Sequence, residues 1–93
     1  VDIRKNSKTF SQWAGTYLNS DNKKQLWIPP GFAHGFIVTS EEAVFAYKVT
    51  QFFSKDHEVV IRYDDESLAI NWPKNIQKQL SDKDSKGISF ASL

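Results

Sequence analysis

The chain has 93 residues, a formal net charge of +1 and no cysteine. That length holds one domain at most, and the missing thiols exclude disulfides, zinc knuckles and cysteine nucleophiles. The 12 basic and 11 acidic residues are well mixed, so no concentrated cationic face speaks for nucleic acid.

The longest apolar runs fall far short of the roughly 20 residues of a membrane span, and no signal-peptide pattern is present. A soluble, cytoplasmic protein is expected. Val1-Asp2-Ile3 reads as the middle of a strand, and there is no methionine even at position 1. The chain is therefore expected to be a piece of something longer. Three Trp and seven Phe among 93 residues point to burial against something, a second chain being one candidate.

In chain order the periodicity is mostly that of strands. Residues 12–18 (QWAGTYL) form the first candidate, with Gly15 allowing a bend. The polar stretch 19–24 (NSDNKK) has the asparagines and aspartate of a turn. A short strand at 25–28 (QLWI) stops at Pro29-Pro30-Gly31, and the next, 34–39 (HGFIVT), opens on His34. Residues 43–50 (AVFAYKVT) alternate most clearly, with Phe45, Tyr47 and Val49 on one face and Val44, Ala46, Lys48 and Thr50 on the other. Residues 58–63 (EVVIRY) give another strand, and 64–73 a turn and extended piece. Only 74–84 (KNIQKQLSDKD) has helical character, with Pro73 near its start. Many short strands with Gly/Pro turns predict a β-sandwich, jelly roll or barrel. Five or six strands leave open edges, which missing residues or a partner subunit are expected to cover.

Several residues could carry chemistry. Pro29-Pro30-Gly31-Phe32-Ala33-His34 fits P-x-G-x-x-H, the second half-motif of the cupin jelly roll. A metal needs three or more suitable ligands, and the chain offers His34 and His57 with no H-x-H, so the residues do not point to a metal centre. His34 alone could equally cap a strand through a backbone hydrogen bond. Tyr47 is either a core tyrosine with a hydrogen-bonded hydroxyl or a proton donor, since a phenol of ordinary pKa near about 10 stays protonated at neutral pH. Asp84 is either solvated charge or a carboxylate that orients a histidine. His57-Glu58 is most simply a polar strand entry. Phe52 and Phe53 either pack in the core or stack on a base.

Read together, TFSQWAG, NKKQLWIPPGFAHGFIV, FAYKVT, HEVVIRYDD, INWP and LSDKD closely resemble the dTDP-4-dehydrorhamnose 3,5-epimerase family over residues 1 to about 86. The resemblance implies an all-β, cupin-like jelly roll (a double-stranded β-helix), here partial and with a short C-terminal helix, residues 1–93 being the second half of such a domain. It implies a homodimer that exchanges strands, and no metal or organic cofactor. It implies inversion of C3 and C5 of dTDP-4-dehydro-6-deoxy-D-glucose, a nucleotide-linked 4-keto sugar, on the way to dTDP-L-rhamnose. A proton beside the ketone is abstracted and one returns on the opposite face, so base and acid lie on opposite sides of the sugar.

Carried over residue by residue, Tyr47 matches the family's proton donor and Asp84 the carboxylate that pairs with the catalytic base. His34, Glu58 and Lys83 match positions lining the sugar or nucleotide pocket. Phe52-Phe53 stand where the family usually has a Tyr or Trp that stacks on thymine, and Phe52 is taken as the stacking ring. Arg62-Tyr63 replaces a commoner Arg-Trp. The histidine base and the enolate-stabilising lysine belong to the family's first half, which this chain does not resemble. These 93 residues alone are therefore expected not to epimerise. Two alternatives remain: a jelly-roll module that binds a nucleotide sugar without catalysis, and a metal-dependent cupin enzyme.

Overall fold

The computed structural model describes residues 1–52 and 54–93. The chain divides into two units, Val1–Gly35 and Phe36–Leu93.

The first unit is organised by Asp2. Its backbone pairs on two sides. An antiparallel bridge joins Asp2 to Phe32, with Ile3 N–H donating to Gly31 O at 3.0 Å and Ala33 N–H to Val1 O at 2.9 Å. On the other side Asp2 N–H donates to Gln12 O at 3.0 Å and Ser11 N–H to Asp2 O at 2.8 Å. The intervening segment folds back through short turns, Ser7 to Arg4 and Gln12 to Thr9, with Ser11 at φ 69°. The Asp2 side chain is 2% exposed, and a carboxylate so placed must be paired. It accepts from Arg4 N–H, Nε and Nη2, each at 2.9 Å, and from Thr9 Oγ1 at 2.6 Å. The Arg4 bonds, and those of Ser7 and Thr9, hold its carboxyl far below the usual carboxylate range against the opposing effect of burial. Residues 19–24 form the expected turn: Asn22 N–H donates to Asn19 Oδ1 at 2.7 Å and Asn22 Nδ2 to Tyr17 O at 2.8 Å. Lys23 takes the left-handed conformation, φ 53°.

The second unit is knitted by Asp65. Its Oδ1 accepts from Ser67 N–H at 3.0 Å, Leu68 N–H at 3.2 Å and the Ser67 hydroxyl, while Oδ2 accepts from Phe90 N–H at 2.7 Å. These bonds draw together Leu68 and Phe90, the buried hydrophobic residues among those described. Beside them a parallel bridge joins Ile61 to Ile88, with Arg62 N–H donating to Ile88 O and Ile88 N–H to Val60 O, both at 2.9 Å. A Cβ on Gly87 would lie 2.9 Å from Arg62 N, so only glycine lets the backbones approach this closely. Trp72 Nε1 donates to Tyr63 O at 2.8 Å and the two rings meet edge to face at 6.5 Å.

Two expectations from the sequence change here. Among the described residues, 12–18, 25–28, 34–39 and 43–50 form no strand ladder. Alternation assigns faces, but a strand also needs a partner edge, and none is supplied. The helix expected over 74–84 is one turn, Asp82–Ser85, here α1. Asn75 sits at φ 66°, which a right-handed helix does not contain. Ser81 then starts α1 afresh from extended backbone, its side chain accepting from Asp84 N–H.

Candidate functional site

Residues 43–50 place Phe45 and Tyr47 on one side, as alternation predicts, with ring centroids 5.3 Å apart. Phe36 stacks flat on Phe45 at 4.1 Å and 16°, so three rings form a continuous aromatic ladder ending in the Tyr47 phenol. The ladder is open: Tyr47 is 72% exposed. Phe36 escaped the sequence reading because the contact is nonlocal and nothing in its own segment signals it.

Glu58 follows the 3-10 turn Lys55–His57, in which Ser54 Oγ and His57 Nδ1 lie 2.7 Å apart. Its carboxylate accepts from Lys83 Nζ at 2.5 Å, an ion pair that spans 25 residues of sequence. Lys83 and Asp84 are consecutive in α1. Ser81 Oγ accepts from Asp84 N–H at 3.2 Å, an S-x-x-D capping pattern already legible in Ser81-Asp82-Lys83-Asp84. The Lys83 ammonium is pushed above its ordinary value, first by the hydrogen bond to Glu58, then by the Glu58 charge, against desolvation. The charges of Asp84 and of a Tyr47 phenolate push it the same way. Of the residues singled out, Glu58, Lys83 and Asp84 therefore stand together, Lys83 paired with Glu58 and next to Asp84 in α1.

Phe52 is fully exposed; Phe53, the other ring of the pair, lies outside the described residues. In the first unit, His34 directly follows the bridged segment Gly31–Ala33 and is exposed. Gly31 makes the corner at φ 88°. No described residue hydrogen-bonds the His34 ring, so the strand-capping role considered from the sequence is not taken up. Among the described residues no three His, Asp or Glu side chains converge as metal ligands, and no helix is long and apolar enough to cross a membrane.

An exposed phenol, a lysine–carboxylate pair and an aspartate on a Ser81-capped turn are the groups that the second unit offers to chemistry. Comparison with known proteins then decides the family. The family model described as dTDP-4-dehydrorhamnose 3,5-epimerase matches residues 1–92. The chain belongs to this family. A protein of Pseudomonas aeruginosa bearing the name dTDP-4-dehydrorhamnose 3,5-epimerase is 50% identical over 91 residues, covering 98% of this chain and 50% of its own length. Proteins of the same name from Shigella flexneri and Escherichia coli K12 are 53% and 49% identical over 90 and 93 residues, covering 97% and 100% of this chain and 49% and 50% of their own. The chain thus spans about half the length of the curated relatives it matches. No solved structure matches it.

Proposed function

We propose that this epimerase-family chain supplies the proton-donor half of a site that inverts C3 and C5 of dTDP-4-dehydro-6-deoxy-D-glucose, giving dTDP-4-dehydro-L-rhamnose. The observations that carry the reading are the Glu58–Lys83 pair beside Asp84 in α1 and the exposed Tyr47 phenol at the end of the aromatic ladder. A C–H beside the C4 ketone is acidified because its loss gives an enolate. A base takes that proton from one face, and Tyr47 O–H returns one from the other. Donor and base must be different groups on opposite faces, or no inversion results.

Asp84 is the carboxylate that accepts from the base histidine's ring N–H, fixing its tautomer and raising its basicity. Its place in α1, capped by Ser81, fixes the main chain from which it projects. Lys83 neutralises the nucleotide's phosphates, with Glu58 fixing its ammonium. Phe52 offers a ring for the thymine to stack on, and His34 contacts the sugar. The reaction as proposed needs no cofactor.

The exposed Val44, Phe45, Tyr47 and Phe52 support a jelly roll completed by further chain and by a second copy, since large exposed apolar side chains in number are normally covered. The test is solvent exchange in heavy water. The 93-residue chain with the keto-sugar incorporates no deuterium at C3 or C5, whereas a chimera with the first half of the Escherichia coli relative placed before Val1 does. A chimera that folds and leaves both carbons unlabelled overturns the proposal.

A further inference from the structure

We propose that Arg4 is a positioning residue for His34, acting through the Gly31-Phe32 corner. The proposal rests on the reading of His34 as a substrate contact. Three observations converge on it, all within the first unit.

Arg4 is held from below. Asp2 receives its backbone N–H, Nε and Nη2, and Nη2 also donates to Ser7 Oγ at 3.2 Å. A guanidinium fixed along its fork to a buried carboxylate has little freedom left.

The fixed side chain then lies across the corner. A Cβ on Gly31 would meet Arg4 Cγ at 2.7 Å and Cδ at 2.8 Å, so the methylene stem packs directly on the Gly31 backbone. The guanidinium carbon sits 4.8 Å from the centre of the Phe32 ring, within cation–π range.

The corner leads straight into His34. Gly31, Phe32 and Ala33 are tied to residues 1–3 by the Gly31 O, Ala33 N–H and Ala33 O bonds at 3.0, 2.9 and 2.9 Å. His34 is the first residue past the last of these. Its own ring is held by no described residue, so the direction in which it leaves is set by the corner beneath it. The positive φ of Gly31 is one that glycine adopts without steric cost, and its missing Cβ leaves the room that the Arg4 stem occupies. Bare glycine there serves the arginine as much as the turn.

Lysine at position 4 keeps the charge and loses the fork. Phe32→Leu keeps the bridge and the Arg4–Asp2 pair and removes only the ring. The measurement is the imidazole Cε1–H resonance of His34 in the ¹³C-histidine-labelled chain, with His57 as the internal reference, in the free chain and on addition of dTDP-4-dehydro-6-deoxy-D-glucose. Arg4→Lys should move the His34 resonance while leaving His57 in place, and should weaken binding of the keto-sugar nucleotide roughly tenfold, equivalent to about 1.4 kcal/mol. Phe32→Leu should move His34 in the same sense by less. A folded Arg4→Lys whose His34 resonance and keto-sugar nucleotide affinity match the wild type overturns the proposal. If Arg4→Lys does not fold, an unmoved His34 in Phe32→Leu overturns it equally. A wild-type chain in which the dTDP-linked keto-sugar leaves His34 untouched sinks the substrate-contact reading instead, and the free-chain resonance still decides the positioning role.

Discussion

Lys83 Nζ lies 2.5 Å from Glu58 Oε1 across 25 residues of sequence. The pair ties the turn at Lys55–His57 to α1 and so fixes the backbone on which Asp84 stands. Glu58→Gln removes the charge while keeping the shape, so the Lys83 titration midpoint should fall towards its ordinary value of 10.5. Its folded-state pKa is raised, so the pair's stabilisation is fully present below 10.5 and is lost as pH rises through the folded value. The melting curves of wild type and variant should converge at strongly alkaline pH. Both side chains are partly solvated, so the difference at neutral pH is small. A Lys83 Cε titration unmoved by Glu58→Gln would show that the pair is not made in solution.

Tyr47→Phe should separate chemistry from packing. The hydroxyl is on an exposed ring with no hydrogen-bond partner among the described residues, so its loss should leave the unfolding free energy within about 0.5 kcal/mol of wild type. In the chimera, kcat should drop by about 10²–10⁴-fold, the usual worth of a positioned acid. An unchanged kcat means that another group returns the proton.

Asp84→Asn tests the carboxylate at a different place in the cycle. The amide cannot stabilise an imidazolium, so the base's pKa should fall and the acid limb of the chimera's pH–rate profile should move to lower pH. The Ser81 cap uses the backbone N–H of residue 84, so α1 should survive the change. An acid limb that stays where it was removes Asp84 from contact with the base.

How much of this was legible in the sequence depended on how local each signal is. The turn at 19–24 was readable because Asn19 and Asn22 bond to backbone within five residues. Alternation correctly put Phe45 and Tyr47 on one side, yet it said nothing of Phe36, which reaches Phe45 from another segment. The helix over 74–84 was over-read because Ile76 and Leu80 supply apolar spacing, whereas the Asn75 backbone and the Ser81 cap decide where a helix can begin. The family resemblance puts both Glu58 and Lys83 in the pocket, but their direct pairing is set by the fold across 25 residues of sequence. Asp2 was the largest omission. An aspartate in a strand-like triplet gives no sign that Arg4, Ser7 and Thr9 will gather round it.

Asp2→Asn should therefore destabilise the first unit, and its pH dependence follows from the direction of the shift. The folded carboxyl titrates far below the ordinary 3.8, so its contribution is fully present above 3.8 and is lost as pH falls through that value towards the folded one. The gap between the urea midpoints of wild type and Asp2→Asn should be constant from pH 7 down to about pH 5 and should narrow by pH 3. A gap that is unchanged at pH 3 would mean that the Arg4 and Thr9 bonds do not depress the carboxyl.

Gly87 and Ala69 predict opposite signs for opposite changes. A methyl on Gly87 would press on Arg62 N at 2.9 Å and Ile61 C at 3.0 Å, both backbone atoms next to the Ile61–Ile88 bridge, and neither can swing aside. Gly87→Ala should cost about 1–3 kcal/mol, the usual range for overpacking. Ala69 holds φ 49° while its N–H donates to Asp65 O at 3.0 Å, a conformation that costs an L-residue roughly 1–2 kcal/mol. Ala69→Gly relieves that strain and adds about 0.5–1 kcal/mol of chain entropy in the unfolded state, so the net change is a gain of about 0.5 kcal/mol. Urea unfolding of the two variants reads both signs, and a destabilised Ala69→Gly would show that residue 69 does not occupy the left-handed well.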